Sequence, residues 1–323
     1  MQLDPKTTAF VFPGQGSQAV GMGRELAAAY SQAKLAFDEV DEILGFALSR
    51  LMWEGPDTDL NDTVNTQPAL YLHSIAAQQV FSHLYPKFLP ASVSGHSLGE
   101  LSALTAAGAL PFADGIRLVR KRGELMKRAG ELSPGGMAAI LGLDIPALEK
   151  VCMEASTSDE TVQVANDNCP GQVVISGAKA AVERAIQGAK AAGAKRGIPL
   201  AVSIAAHSPL MASIQDEWNE AVDACEMSDP QIPVIGNVHA KPMIKSSELR
   251  ADIKAQMGSR VRWTESVQGM LEAGTQAFVE VGSGSVLIGL IRRIAQPSQG
   301  DSTVSGYSLG APGDFSVFET QNE

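Results

Sequence analysis

The sequence predicts an α/β protein: a mostly parallel sheet with helices on both faces, interrupted by an inserted unit of strand-helix-strand-strand-helix-strand order. Three observations carry this. Short apolar runs of strand length alternate with longer stretches of helical periodicity. The alternation changes character between about residues 133 and 201 and then resumes. Thirty-one glycines and only 5% aromatic residues in a chain of 323 favour tight turns and close backbone approaches over an aromatic-rich sandwich.

Taken in order, residues 8–12 (T-A-F-V-F) read as a buried strand ended by Pro13-Gly14-Gln15-Gly16. Helical pattern follows over 22–44 and again over 67–84, where Leu70, Ile75, Ala76, Val80 and Phe81 are apolar. Residues 91–95 form a strand that turns at His96-Ser97 into a helix of small residues, 98–108. Within the insertion, strands are expected at 136–143, 162–166, 172–177 and 197–202, with helices at 145–155 and 180–192. That order is ferredoxin-like, β-α-β-β-α-β. Beyond it, 233–237 and 277–281 are short strands and 285–294 is helical. The tail from Gln296 is polar and reads as partly disordered or a peripheral strand. Residues 1–132 and 202–323 are thus expected to form a discontinuous core, with 133–201 a small subdomain.

Composition narrows the function. With 45% hydrophobic and 19% charged residues the chain is globular, and a net charge of −11 disfavours nucleic acid and anionic membranes as partners. Cys152, Cys169 and Cys225 are too scattered for a disulfide framework or a zinc site. No apolar run reaches membrane-spanning length and the start lacks a signal-peptide pattern, so a cytoplasmic protein is expected.

Gly95-His96-Ser97-Leu98-Gly99 fits G-x-S-x-G between a strand and a helix, the setting of a nucleophile elbow. Ser97 is the candidate nucleophile, and the Leu98 amide at the helix start is a natural oxyanion donor. A serine nucleophile needs a base. His96 adjoins Ser97 in a turn that points neighbouring side chains apart, and His73 and His83 lie in a helical pattern. His207 sits where the insertion returns to the core, and His239 is the alternative. No acid near His207 has a telling spacing. A dyad is therefore expected, with a backbone carbonyl able to hold the imidazole in place of a carboxylate.

Residues 115–128 (G-I-R-L-V-R-K-R-G-E-L-M-K-R) hold six basic residues, most of them on a solvated helix face. Arg122 alone falls inside the apolar arc, between Leu118 and Met126. A guanidinium there needs a partner, either a protein carboxylate or a substrate, and its planar fork suits a carboxylate. Gly14-Gln15-Gly16-Ser17-Gln18-Ala19 matches G-x-G-x-x-A, but no acidic residue closes a second strand about 20 residues on, so a nicotinamide site is not expected.

Phe12-Pro13-Gly14-Gln15-Gly16-Ser17-Gln18, Gly95-His96-Ser97-Leu98-Gly99-Glu100, Arg122-Gly123 and Ala206-His207-Ser208, in this order, resemble the malonyl-CoA:acyl carrier protein transacylase family. Residues 168–177, Gln256 with Val261-Arg262-Trp263, and Glu280-Val281-Gly282-Ser283-Gly284 extend the resemblance over about residues 8–295. It implies a hydrolase-like core with a ferredoxin-like insertion. It also implies that Ser97 carries the acyl group, that His207 is the base, and that the amides of Gln15 and Leu98 form the oxyanion hole. Arg122 would grip the malonyl carboxylate and the Gln256 carbonyl would orient His207. Asn168, or Asn166 two residues earlier, would lie beside the acyl channel, and His96 would join the substrate-binding residues. The partners implied are malonyl-CoA, as substrate, and acyl carrier protein; the chemistry needs no metal or redox cofactor, and a monomer is expected. Ala205-Ala206 before His207 leave the exclusion of methylmalonyl open. The competing readings are a serine esterase or thioesterase, an acyltransferase of polyketide synthesis with another extender unit, and a carrier-binding scaffold without activity. The carrier is expected to dock at Lys190, Lys195 and Arg196 and on the exposed face of the 115–128 helix, because carrier proteins are acidic.

Overall fold

The computed structural model describes residues 3–296 and 304–321. Its strands, among the described residues, are β1 (Thr8–Phe12), β2 (Ser92–Gly95), β3 (Gly135–Leu141), β4 (Val162–Cys169), β5 (Gln172–Ala178), β6 (Arg196–Pro199), β7 (Val234–Ile235), β8 (Pro242–Met243), β9 (Ala277–Val281) and β10 (Ser305–Leu309). They form two sheets.

The larger sheet has the order β10-β9-β1-β2-β7-β8. All its pairings are parallel except β7 with β8, and Phe10 stands opposite Val93 in the β1–β2 register. β1 is buried at every position, which is why it reads as an unbroken apolar run rather than an alternating one. The smaller sheet has the order β4-β5-β3-β6 with every neighbour antiparallel. Helices Ile145–Ala155 and Lys179–Ala191 pack on it through Leu148, Val151, Val182 and Ile186 against Ile140 and Ile175.

Several sequence expectations shift. The 22–44 helix is two helices, Arg24–Ala29 and Ser31–Leu44, parted by Tyr30 in an extended conformation. The helix expected from residue 67 starts at Thr63, with Asp62 capping the Val64 amide at 3.1 Å and Pro68 inside it. It is buried along most of its length, so no polar face marks its start. β7 is two residues long, because the chain leaves the sheet before Asn237. β4 continues to Cys169 through two register irregularities, Val164/Asn166 and Asp167/Cys169. Bulges of this kind re-aim side chains next to sites.

The tail forms a peripheral strand, one of its two expected readings. Residues 297–303 and 322–323 lie outside the described residues, but β10 pairs in parallel with β9 and the 3-10 segment after it buries Phe315 and Phe318. No helix among the described residues is long and apolar enough to cross a membrane.

Candidate active site

The site is built on the turn after β2. Ser97 has φ 52°, the left-handed region that costs a non-glycine residue of order 1–3 kcal/mol. The packing that enforces it leaves no room for side chains on either side. A Cβ on Gly95 would lie 1.9 Å from the Gly99 carbonyl carbon, and one on Gly99 would lie 2.0 Å from the Phe12 carbonyl oxygen. Gly14 is equally cramped, since its Cβ would meet the His96 carbonyl oxygen at 2.5 Å, and this draws the Gly14-Gln15 loop over the elbow. The Ser97 amide donates to Asn237 Oδ1 at 2.7 Å, and Asn237 Nδ2 donates to the Gly95 carbonyl at 2.7 Å. No group among the described residues accepts from the amides of Gln15 or Leu98.

Ser97 Oγ donates to His207 Nε2 at 2.8 Å. His207 is 2% exposed and also has a positive φ, 59°. Its Nδ1 lies 3.0 Å from the main-chain carbonyls of both Gln256 and Ser259, so the proton is assigned to Nδ1 and Nε2 is left as the acceptor. No carboxylate touches the ring. The backbone of His207 is pinned on both sides: its amide donates to the Met257 carbonyl at 2.8 Å, and its carbonyl accepts from Gln163 Nε2 of β4 at 2.8 Å. Burial, and then the positive charge of Arg122, depress the His207 pKa to about 3, so the ring is neutral at ordinary pH.

Arg122 lies on the buried face of the helix Phe112–Leu132, 1% exposed, as its place in the apolar arc predicts. Its partners are neutral. Nη1 donates to Gln67 Oε1 at 2.9 Å, and Nη2 donates to Gln256 Oε1 at 2.8 Å and to Ser97 Oγ at 3.1 Å. Nε is buried without an acceptor. Burial lowers its pKa to about 10, against the opposing pull of Glu100. The guanidinium therefore stands charged, dry and without a contacting carboxylate, 3.1 Å from Ser97 Oγ.

Ser97, His207 and Arg122 open into a cavity of about 140 Å³. Gln15, Leu98 and His96 line it beside them, and Met126, Met137, Leu200, Val202 and Ile204 give it apolar walls. The two asparagines of β4 separate here. Asn166 faces the cavity with its Oδ1 buried and unpartnered. Asn168 is not in the wall; it accepts from His96 Nε2 at 2.8 Å and fixes that ring, which also stands edge-on to Trp263. Gln256 likewise stands behind the wall, reaching the cavity through Arg122 and His207. Of the remaining histidines, His83 and His239 are exposed and His73 is buried against the Gly310 carbonyl.

Sequence reasoning missed Asn237, Gln67, Ser259, Gln163 and the buried Glu100. Of these only Glu100 had a local signal, as the acid that closes the elbow motif. Lys190, Lys195 and Arg196 are exposed and make no ion pair among the described residues. The 115–128 helix differs: Arg117, Arg120 and Lys127 each have an acid and Lys121 and Arg128 share Glu217, so that face offers less unpaired charge.

The acyl transferase domain family matches residues 9–307. The malonyl CoA-acyl carrier protein transacylase of Bacillus subtilis (strain 168) is 46% identical over 288 residues, 88% of this chain and 90% of the relative. The protein of that description from Escherichia coli (strain K12) is 44% identical over 286 residues, 88% and 92% of the two chains. The chain belongs to the malonyl CoA-acyl carrier protein transacylase family. Its fold is shared with solved transacylases. An acyl carrier protein S-malonyltransferase from Vibrio cholerae superposes with a TM-score of 0.90 at 42% identity, covering 96% of this chain and 99% of that one. A malonyl-transacylase in complex with its type II PKS acyl-carrier protein gives 0.91 at 40% identity, covering 98% and 99%.

Proposed function

We propose that this transacylase moves a malonyl group from malonyl-CoA to the phosphopantetheine thiol of acyl carrier protein through a malonyl ester on Ser97, supplying chain extension. The observation that carries this reading is the buried, carboxylate-free Arg122 guanidinium 3.1 Å from Ser97 Oγ. A hydrolase of simple esters has no use for such a charge. A malonyl group bound as its ester brings the missing carboxylate.

In the first half-reaction His207 Nε2 takes the Ser97 proton as Oγ attacks the thioester carbonyl. The oxyanion of the tetrahedral intermediate is held by the amides of Gln15 and Leu98. Collapse breaks the C–S bond, and the proton on Nε2 leaves with coenzyme A as its thiol. In the second half, the carrier's thiol gives its proton to His207 and attacks the ester, and Ser97 recovers the proton as the product thioester departs. The Gln256 and Ser259 carbonyls stabilise the imidazolium in each transition state without an acid. Every proton and bond is accounted for by these groups, so no metal or redox cofactor enters the scheme.

At about 140 Å³ the cavity is small for a ligand site and suits a three-carbon acyl unit. We read residues 133–201 as the subdomain that closes it from one side, through Met137, Asn166 and Leu200, and 1–132 with 202–323 as the core. Lys190, Lys195 and Arg196 are the carrier's docking charges in this reading, and the enzyme acts as a soluble cytoplasmic monomer. Competition among malonyl-, methylmalonyl- and acetyl-CoA for transfer to a carrier protein tests the function. Preferential transfer of malonyl supports it, and equal use of acetyl overturns it.

A further inference from the structure

A buried acid pair stands behind the nucleophile and takes no part in the chemistry above. Glu100, in the first turn of the helix Gly99–Ala106, is fully buried, and Asp252, on the helix Ser246–Gln256, is 2% exposed and lies against it. Gln256 follows Asp252 by four residues, so both project from one face of their helix.

The amide of Gln256 has a forced orientation. Its Nε2 donates to Glu100 Oε2 at 2.5 Å and to the Ser97 carbonyl at 2.9 Å, while its Oε1 accepts from Arg122 Nη2 at 2.8 Å. Reversing the amide would set its oxygen against two acceptors and its NH2 against a guanidinium, which has only donors. Glu100 is itself held by the Asn237 amide, which donates to its Oε1 at 3.2 Å.

We propose that Glu100 is a positioning residue for donor selection, whose carboxyl locks the Gln256 amide so that Gln256 Oε1 aims Arg122 at the malonyl carboxylate. This rests on the reading of Arg122 as the malonyl clamp. Glu100 acts as a neutral acid. Two carboxyls in contact in a dry interior do not both ionise, and burial followed by Asp252 raises the Glu100 pKa well above the carboxylate range. Asp252 takes the Val238 amide on Oδ2 at 3.3 Å, while its Oδ1 is buried without a donor from other described residues, a want that a proton shared with Glu100 meets. Glu100 then stands near Arg122 uncharged and without contacting it, leaving the guanidinium free for the substrate.

The test measures kcat and KM for self-acylation by malonyl-CoA and by acetyl-CoA in wild type, Glu100→Gln, Glu100→Ala and Arg122→Ala, with thermal melts. Glutamine turned with its oxygen to Gln256 keeps that acceptor and offers Asp252 a donor, giving up only the acceptor for the Asn237 amide, so Glu100→Gln should keep the malonyl-to-acetyl ratio within about threefold of wild type. Glu100→Ala should raise the malonyl-CoA KM about tenfold or more and change acetyl-CoA acylation less than about threefold. If the alanine variant does not fold, Glu100→Met, which fills the space without an acceptor, carries the same expectation. An unchanged malonyl-to-acetyl ratio in the folded Glu100→Ala or Glu100→Met protein overturns the positioning role, and so does a loss of malonyl use in Glu100→Gln as large as in alanine. An unchanged ratio in Arg122→Ala sinks the clamp reading and this one together. A changed ratio there with none at position 100 sinks this one alone.

Discussion

Asn237 holds Ser97 by its backbone rather than by its hydroxyl, accepting the Ser97 amide hydrogen at 2.7 Å and returning a bond to the Gly95 carbonyl at 2.7 Å. It spans the turn and offsets the cost of a serine at φ 52°. Asn237→Ala should cost about 1–3 kcal/mol of stability, the range for leaving buried backbone groups unpaired, and should lower kcat more than it raises KM. Denaturant melts with steady-state kinetics check both. Wild-type stability in the variant would remove Asn237 from the elbow's support.

Ser97→Ala should abolish acyl-enzyme formation and leave the melting temperature close to wild type, since a single hydroxyl is removed from a preformed turn. Intact-mass spectrometry after mixing with malonyl-CoA reads this directly. A malonyl adduct on the alanine protein would mean that another residue carries the acyl group.

His207 gives a pH signature of defined sign. Its pKa is depressed from 6.5 to about 3 on folding, so the unfolded chain binds more protons between those values and stability falls as pH drops below about 6.5. The buried His73 and His96 are also depressed by burial and push the same way. His207→Gln should therefore lose less thermal stability than wild type between pH 7 and 5. Acylation by the wild type should show no loss of its base with a midpoint near 6.5, and such a midpoint would mean that the imidazole is hydrated in the working enzyme.

Arg122→Ala should weaken malonyl transfer by about 2–5 kcal/mol, the range for removing one member of a buried charge pair formed with the substrate. Acetyl transfer should be spared or improved, because acetyl brings no charge to meet the guanidinium. Parallel loss of both donors would instead show that Arg122 supports the structure through Gln67 and Gln256.

Charge reversal at Lys190 and Lys195 should raise the KM for carrier protein and leave that for malonyl-CoA unchanged. Equal effects on both substrates would reject this docking surface. Reversal at Lys121 should have a smaller effect, since Glu217, which it shares with Arg128, offsets part of its charge at 3.6 Å.

What was legible in the sequence was what local geometry dictates. The elbow is a five-residue pattern with steric reasons for each glycine, and Arg122 betrays itself by interrupting a 3.6-residue apolar period. His207 was harder to single out, because it meets Ser97 from 110 residues away and only its place at the return from the insertion sets it above His239. Asn237, Ser259 and Gln163 were illegible for a stronger form of that reason: they act through main-chain contacts that only the tertiary fold creates. Asn166 and Asn168 could not be told apart because β4 contains irregularities that a strict alternation does not anticipate. β10 was obscured by its half-buried edge position, which leaves Ser-Gly-Tyr-Ser-Leu without a clear apolar run.

Gln163 ties the His207 carbonyl directly to β4, whereas Ser97 and Arg122 make no bond of their own to the smaller sheet among the described residues. Warming that loosens β4 first would let the imidazole drift while Ser97, held by Asn237, and the guanidinium, held by Gln67 and Gln256, keep their places. Catalysis should then fail at a lower temperature than the bulk of the molecule melts, leaving a well-formed protein that takes up malonyl-CoA but can no longer be charged by it. The smaller sheet would serve as the enzyme's fuse.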